Sequence, residues 1–289
     1  MTEDELRALI DAHPVEGTPP EMRAAFEALL RAALPHGADL RGASVTEEVR
    51  AGIRCLRVAP ERAAGPPILY CHGGGYVIGS PETHVPLAAS LARAANAPVI
   101  LPAYPLAPEH TWPAQLEAAL AVAGTLDGPW FAGGESAGGH LAINLALRLT
   151  GRDGPKGLVL FSPNTSRAYG LSGTRGAPGD AMLEHQMDDR LARMAFGAVR
   201  ADDPAQSVVR ADLSSLPPVW MDVGLSEALL DDLLLLARRL AHAGRPGIMR
   251  VRPGFHLIQV FAGAFPPADD SLAAAGAWLR DQSAMRVLA

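Results

Sequence analysis

A serine flanked by glycines is the first candidate for covalent chemistry in this sequence. The segment Gly134–Gly138 fits the pattern G-x-S-x-G, which holds a serine on a sharp turn between a strand and a helix. The apolar run Trp130–Ala132 precedes the segment, and a helical pattern, Ala137–Leu149, follows it. This context predicts that Ser136 is a nucleophile, although an ordinary glycine-rich turn would show the same five residues.

A serine nucleophile needs a base that accepts its proton, and folds with such a turn use the chain order serine, acid, histidine. Beyond the helical pattern Ala137–Leu149, which contains His140, three histidines follow Ser136. His185 falls in an inserted helical segment, and His242 ends a long helical pattern. His256 follows the apolar run Ile248–Val251, in a loop at the carboxyl end of a strand, where such folds place catalytic residues. We therefore predict that His256 is the general base.

The acid that orients the imidazole is expected in the loop after an earlier strand. Glu227 lies between the apolar run Val219–Val223 and a helical pattern. Asp231 and Asp232 start that helix, where the helix dipole favours a carboxylate in any case. Asp222 lies within the apolar run itself. We predict Glu227 as the acid, with Asp231 as the alternative.

A second glycine-rich segment could bind an oxyanion. His72-Gly73-Gly74-Gly75 directly follows the apolar run Ile68–Cys71. Glycines let the main chain approach a substrate and turn consecutive N–H groups toward a developing negative charge. We assign His72 a structural role in holding this loop, because it precedes the turn rather than following a late strand.

The elements that would position these residues alternate along the chain. Short apolar runs bounded by glycine and proline lie at Ile53–Val58, Pro67–Cys71, Val99–Leu101, Trp130–Ala132, Leu158–Phe161, Val219–Val223 and Ile248–Val251. Helical patterns lie at Val85–Ala95, Ala114–Leu126, Ala137–Leu149, Leu229–Ala243 and Ala268–Arg280. This alternation predicts an α/β fold with a mainly parallel sheet and helices on both faces. We expect the first two runs to form an antiparallel edge.

Two segments depart from this alternation. The first 35 residues predict two amphipathic helices, whose starts have capping-box pairs at Thr2 with Glu5 and at Thr18 with Glu21. The second helix has an apolar face of Met22, Phe26, Leu29, Leu30 and Ala33. The glycine-rich stretch Ser166–Asp180 is followed by an apolar stripe at Leu183, Met187, Leu191 and Met194, which predicts an inserted loop and helix. Both segments could pack on the core or cover a pocket.

Composition narrows the class of protein. Of the 289 residues, 48% are hydrophobic and 19% are charged, which is typical of an ordinary globular protein and excludes a disordered one. The formal net charge of -6 argues against a nucleic-acid partner.

Cys55 and Cys71 lie in apolar runs and are expected to be buried thiols. We find neither signal peptide nor membrane-spanning segment, expect no stable membrane insertion, and predict a cytoplasmic enzyme. The histidines lack metal-ligand spacing, so no metal site is predicted.

Taken together, these motifs resemble the hormone-sensitive-lipase-like (bacterial family IV) esterases of the α/β-hydrolase fold. The resemblance is carried, in the family's order, by His72–Tyr76, Gly79–His84, Tyr104–His110, Gly134–Gly139, Gly224–Asp232 and Phe255–Gln259. The sequence departs from the family pattern at Ala103 and Pro105, where Asp and Arg are usual. It also has Glu135 before the nucleophile, where Asp or Thr is commoner, and Glu227 at the acid position, where many members have Asp.

The resemblance implies a fold, a site and an activity. The oxyanion would be bound by the N–H groups of Gly74, Gly75 and Ala137. A cap would be formed by N-terminal helices in residues 1–44 and by an insertion at about 166–208 in an α/β-hydrolase domain of residues 45–289. The expected activity is that of a serine carboxylesterase on small ester molecules with short or medium acyl chains. It would proceed through an acyl-enzyme without a cofactor, and the resemblance is compatible with a homodimer.

Two alternatives stay open at this point. The same three residues could hydrolyse lactones or amides. A catalytically inactive small-molecule receptor is the alternative from a different class, since relatives with this fold serve as hormone receptors. Such receptors lose a member of the triad, whereas Ser136, Glu227 and His256 are all present here.

Overall fold

A single twisted sheet lies at the centre of the protein. The computed structural model describes residues 1–34, 40, 42–167, 179–245 and 247–285. Within these residues, eight strands form one sheet in the order β1-β2-β4-β3-β5-β6-β7-β8. The strands are β1 (Ala43–Arg50), β2 (Ile53–Pro60), β3 (Ile68–Cys71), β4 (Val99–Pro102), β5 (Phe131–Glu135), β6 (Leu158–Phe161), β7 (Val219–Gly224) and β8 (Ile248–Arg252). The strands β3 to β8 are parallel, which confirms the predicted mainly parallel sheet.

The antiparallel edge differs from the one expected. We expected the run Ile53–Val58 to pair with the run Pro67–Cys71. Instead β2 pairs antiparallel with β1 on one side and with β4 on the other, while β3 lies between β4 and β5. Strand β1 has a mostly polar, exposed sequence, so apolar content did not reveal it. It joins β2 through Ala51 and Gly52, which both have positive φ, as tight hairpin turns require.

Helices surround the sheet and follow the predicted segments closely. They are α1 (Glu3–Asp11), α2 (Pro19–Ala33), α3 (Val85–Ala95), α4 (Ala114–Ala123), α5 (Ala137–Arg148), α6 (His185–Phe196), α7 (Leu230–His242) and α8 (Pro266–Met285). Every residue of β3, β4, β5 and β6 is buried. Because successive side chains of a strand point to opposite faces, this burial shows that both faces are covered in the middle of the sheet.

The N-terminal helices begin as the capping pattern predicts. The main-chain N–H of Thr2 donates to the Glu5 carboxylate at 2.7 Å, and that of Thr18 donates to Glu21 at 2.8 Å. The predicted apolar face of α2 is buried from Met22 to Ala33. Part of the predicted inserted loop, residues 168–178, lies outside the described residues, whereas the helix that follows it is present as α6.

Candidate active site

The predicted nucleophile lies on the turn between β5 and α5. Ser136 follows the last residue of β5 and has φ of 52° and ψ of -120°. A positive φ is strained for a residue with a side chain, and such strain is concentrated at functional sites. The strand, turn and helix predicted around this serine are therefore present, and the turn has the geometry of a nucleophile elbow.

The glycines around Ser136 allow the chain to pack tightly at this turn. A Cβ on Gly138 would overlap the carbonyl of Cys71 at the end of β3, and one on Gly134 would overlap the main chain of Gly138. A Cβ on Gly139 would lie 2.6 Å from the Pro163 side chain. The three glycines thus let α5 start directly beside the ends of β3 and β6.

The predicted acid and base are hydrogen-bonded to each other. One carboxylate oxygen of Glu227, Oε2, lies 3.2 Å from Nδ1 of His256. Glu227 lies in the loop after β7 and His256 in the loop after β8, so neighbouring parallel strands place them together. Of the other two carboxylates, Asp231 lies in the first turn of α7. Asp222 lies in β7 and accepts a hydrogen bond from Nε of Arg252 in β8 at 2.6 Å.

The other oxygen of Glu227, Oε1, accepts three hydrogen bonds. The donors are the Gly224 main-chain N–H at 2.6 Å, the Ser162 hydroxyl at 2.7 Å and Nη2 of Arg252 at 3.3 Å. A buried carboxylate that accepts several hydrogen bonds is held in one orientation. These bonds leave Oε2 to accept from the imidazole.

Burial and the nearby acidic side chains act in opposite directions on the pKa of His256. Burial by itself lowers the pKa of this histidine, but the hydrogen bond and the charge of Glu227, together with Asp180 and Asp188, raise the pKa above its ordinary value. Within the described part of the chain, Nε2 of His256 has no hydrogen-bond partner. The ring thus has one nitrogen on the acid and the other available for a proton transfer.

A cavity of about 540 Å³ contains both Ser136 and His256 in its lining. The predicted oxyanion loop, His72–Gly75, contributes Gly74 and Gly75 to this lining. Apolar side chains from α2 and from the inserted segment form much of the remaining wall: Met22, Phe26, Leu29, Leu183, Met187 and Leu191. The predicted nucleophile, base and oxyanion loop therefore face one space, as a cleft for a small substrate requires.

The predicted oxyanion loop has the main-chain conformation that only glycine adopts readily. Gly74 has φ of 105° and Gly75 has φ of 61°. A Cβ on Gly74 would overlap the carbonyl of Ile78, and one on Gly75 would lie 2.5 Å from Cδ1 of Leu191 in α6. Ala137 is the first residue of α5, so its N–H has no acceptor within the helix.

A buried network lies beneath this loop. The Glu135 carboxylate accepts the main-chain N–H of Gly73 and lies 2.8 Å from Nε2 of His84. His72 has Nδ1 2.8 Å from the Gly73 carbonyl, and its ring stacks on Tyr104 with centroids 4.2 Å apart. Burial, with the nearby His84, lowers the pKa of His72 to about 3. A neutral, fully buried His72 fits the structural role that the sequence suggested.

Sequence reasoning missed several polar residues of the site. Ser162 and Arg252 both bond the predicted acid Glu227, and Glu135 bonds Gly73 of the predicted oxyanion loop. Ser162 comes directly after β6 and Arg252 ends β8, and polar residues at the carboxyl ends of parallel strands are a usable signal. Their partners are far away in the chain, so the sequence alone could not name the bonds.

The described residues also bear on metal binding, through clusters of possible ligands, and on membrane insertion, through the length and polarity of the helices. Among the described residues, no group of three or more His, Cys, Asp or Glu side chains could hold a metal ion. No helix in the described part of the chain is long and apolar enough to cross a membrane.

Similarity to known proteins decides the family. The sequence model of a family described as 'alpha/beta hydrolase fold' matches residues 68–259, well over half of the chain. This chain belongs to the α/β-hydrolase family. The predicted fold class is confirmed, and the similarity to esterases over most of the chain shows that it is a hydrolase.

Relatives of this α/β hydrolase bear names of esterases. An acetyl-hydrolase of Streptomyces hygroscopicus is 33% identical over 233 residues, which cover 77% of this chain and 78% of that protein. An esterase of Acinetobacter venetianus is 31% identical over 234 residues, covering 77% of each chain. A solved esterase structure from the bacterial hormone-sensitive lipase family has a TM-score of 0.88 at 30% identity, covering 96% of this chain and 97% of that one. The resemblance stated from the motifs is thus confirmed.

Proposed function

We propose that this α/β hydrolase is a serine carboxylesterase in which Ser136, His256 and Glu227 form the catalytic triad. The observation that carries the proposal is the Glu227–His256 pair beside the cavity that contains Ser136. The names of the similar proteins, acetyl-hydrolase and esterase, support the same reaction class. The reaction is the hydrolysis of a carboxylic ester to an acid and an alcohol.

The triad residues have separate roles in the first step. His256 accepts the hydroxyl proton of Ser136 through Nε2 while the serine oxygen attacks the ester carbonyl. Glu227 accepts from Nδ1, which fixes the ring orientation and stabilises the imidazolium. The imidazolium then donates its proton to the departing alcohol, and the acyl group stays on Ser136.

The oxyanion is stabilised while the carbonyl carbon is tetrahedral. The main-chain N–H groups of Gly74, Gly75 and Ala137 are the donors in this proposal, and removal of one such donor typically costs about 10²–10³ in rate. In the second step His256 takes a proton from water as the water attacks the acyl carbon. The imidazolium then returns the proton to the Ser136 oxygen as the bond to the acyl group breaks, and the acid is released. This chemistry uses only side chains and main-chain groups of the protein.

The cavity supports esters with short or medium acyl chains as substrates. Its volume of about 540 Å³ is in the range of small-molecule pockets. The apolar wall formed by Phe26 of α2 and by Met187 and Leu191 of α6 suits an acyl chain more than a charged group. We propose that residues 1–44 and about 166–208 act as the cap that forms this wall.

The test is a substrate panel. We expect the purified enzyme to hydrolyse 4-nitrophenyl esters, with a maximum between acetate and octanoate, and to hydrolyse matched lactones and 4-nitroanilides more slowly. A faster turnover of lactones or anilides than of esters would replace the proposal by one of the alternative reactions. Binding of these compounds without any turnover would favour the receptor.

A further inference from the structure

One carboxylate outside the triad contacts both loops that carry the acid and the base. Asp180 lies on the cavity wall, in the segment that leads into α6. Its Oδ1 accepts the main-chain N–H of His256 at 3.2 Å and that of Met182 at 3.1 Å. Its Oδ2 accepts the N–H of Ala228 at 3.0 Å. The inserted segment therefore bonds the base itself and the residue next to the acid Glu227.

Main-chain hydrogen bonds also join the loop of Glu227 to the loop of His256, close to the ends of β7 and β8. These bonds run from the Leu225 N–H to the Arg252 carbonyl at 2.7 Å and from the Ser226 N–H to the Gly254 carbonyl at 3.1 Å. Both lie ahead of the acid and the base in the chain. Asp180 bonds the main chain at His256 and just after Glu227, so it joins the loops on the other side of the two catalytic residues.

We propose that Asp180 is a positioning residue that holds the loops of Glu227 and His256 together and provides a negative charge beside the imidazole. The inference rests on the proposed function, because it assigns Asp180 a part in the same reaction. A carboxylate suits the position, because its two oxygens can accept more than the three N–H groups present. Hydrogen bonds to a charged acceptor are also roughly twice as strong as those between neutral groups.

Charged groups from several elements surround this part of the site. Three acidic side chains raise the pKa of His256. They are Glu227 in the loop after β7, Asp180 in the inserted segment and Asp188 in α6. Basic groups come from β8, where Arg252 bonds Glu227, and from α1, where the Arg7 guanidinium lies 4.8 Å from the centre of the Phe255 ring. Arg7 also donates to the carbonyl of Gly179, next to Asp180.

The pKa values in this group follow from burial and from these charges. Burial lowers the pKa of His256, while Glu227, Asp180 and Asp188 raise it, with a net rise. Burial raises the pKa of Asp180, and the nearby His256 opposes that rise. Removal of the charge of Asp180 takes away one cause of the raised pKa of His256, so that pKa should move downward.

The first test replaces the charge and keeps the shape. We expect Asp180→Asn to lower kcat for a short 4-nitrophenyl ester about 10- to 100-fold, the loss typical of slightly misplaced catalytic groups, with little change in KM. The acidic limb of kcat/KM should move to lower pH. Asp189→Asn is the matched control, because Asp189 lies on the same inserted segment and pairs with Arg193 at 2.9 Å in α6. It should leave kcat and the acidic limb unchanged.

A purely structural role for Asp180 predicts a different result. In that case Asp180→Asn and Asp180→Ala would lower the thermal stability, but the folded fraction would keep the wild-type kcat and the wild-type acidic limb. That outcome overturns the proposal. A larger loss of kcat in Asp180→Ala than in Asp180→Asn supports it, because alanine removes all three acceptor contacts.

An NMR titration separates this inference from the proposed function. The pKa of the His256 imidazole can be measured in a Ser136→Ala background, with and without Asp180→Asn, and needs no turnover. We expect a lower pKa when Asp180→Asn is present. If the wild-type enzyme hydrolyses no ester, the proposed function fails while this titration still reports on Asp180. An unchanged pKa overturns the inference whether or not esters are hydrolysed.

Discussion

The carboxylate of Glu227 lies 3.2 Å from Nδ1 of His256, although the two residues are 29 positions apart in the chain. Glu227→Gln keeps the size of the side chain but can present an amide N–H to the ring, which favours the wrong tautomer. If Glu227 is the acid of a triad, we expect kcat to fall by about 10²–10⁴, the loss seen when known triads lose their acid. Stopped-flow or steady-state kinetics on a 4-nitrophenyl ester measure the loss.

Asp231→Asn is the control for this assignment. Asp231 lies in the first turn of α7, where a carboxylate interacts favourably with the helix dipole. We expect a nearly normal kcat and a loss of stability of up to about 1 kcal/mol. If instead Asp231→Asn loses most of its kcat and Glu227→Gln stays nearly normal, the acid is Asp231, about one helical turn further along the chain.

The buried carboxylate of Glu135 connects the turn at Ser136 to the proposed oxyanion loop. Glu135→Ala removes the acceptor of the Gly73 N–H and the partner of His84. A buried donor left without an acceptor costs about 1–3 kcal/mol, so urea unfolding should show that loss. We expect kcat to fall as well, because the peptide before Gly74 is no longer held. Glu135→Gln keeps an acceptor oxygen and should lie closer to wild type; equal kcat values in all three enzymes would contradict this role.

The oxyanion loop can be tested with two glycines of positive φ. Gly74 has φ of 105° at the cavity, and Gly128 has φ of 76°. Apart from the chain neighbours of Gly128, no described residue comes within 4 Å of the place that its Cβ would occupy. Each change to alanine should lower the stability by about 1–2 kcal/mol, because a residue with a Cβ is strained at positive φ. Gly74→Ala should also lower kcat by about 10²–10³, because the Cβ meets the Ile78 carbonyl and shifts the N–H donors. Comparable kcat values for the two variants would exclude the loop from catalysis.

The proposed cap can be tested by enlarging the cavity from α2. Phe26 is buried and lines the cavity, so Phe26→Ala should destabilise the protein by about 3–5 kcal/mol and shift the preferred ester toward longer acyl chains. Leu6→Ala is the control, since Leu6 is fully buried in α1 but is absent from the cavity wall. It should cost about 2–5 kcal/mol without changing the order of preferred esters. The same acyl-chain profile in both variants would contradict the cap.

Most of the elements could be predicted from the sequence because they depend on local signals. The helix at Val85–Ala95 matches its predicted bounds, and the strand, turn and helix around Ser136 follow from residues that are neighbours in the chain. The pair Glu227 and His256 could be proposed from chain order, because each follows a strand of a parallel sheet. In such a sheet the carboxyl ends of neighbouring strands meet at one edge, which brings distant loops together.

The parts that could not be predicted depend on long-range contacts. Strand β1 has too few apolar residues to be recognised, and the order of β2, β3 and β4 in the sheet depends on crossovers that leave no mark in a run of residues. The hydrogen bond of Ser162 with Glu227 joins residues 65 positions apart, and that of Asp180 with His256 joins residues 76 positions apart. Polar groups of this kind are identified only once their partners are known.

In the proposed reaction Ser136 forms a covalent bond with the acyl group of the substrate. Incubation with a 4-nitrophenyl alkylphosphonate, which transfers its phosphonyl group to an activated serine, followed by peptide mass spectrometry, tests this directly. We predict one phosphonyl group per chain, located on Ser136, with loss of esterase activity in proportion to labelling, and no labelling of Ser136→Ala. Labelling at another residue, or a Ser136→Ala enzyme that is folded and keeps a tenth or more of the wild-type kcat, would contradict the account.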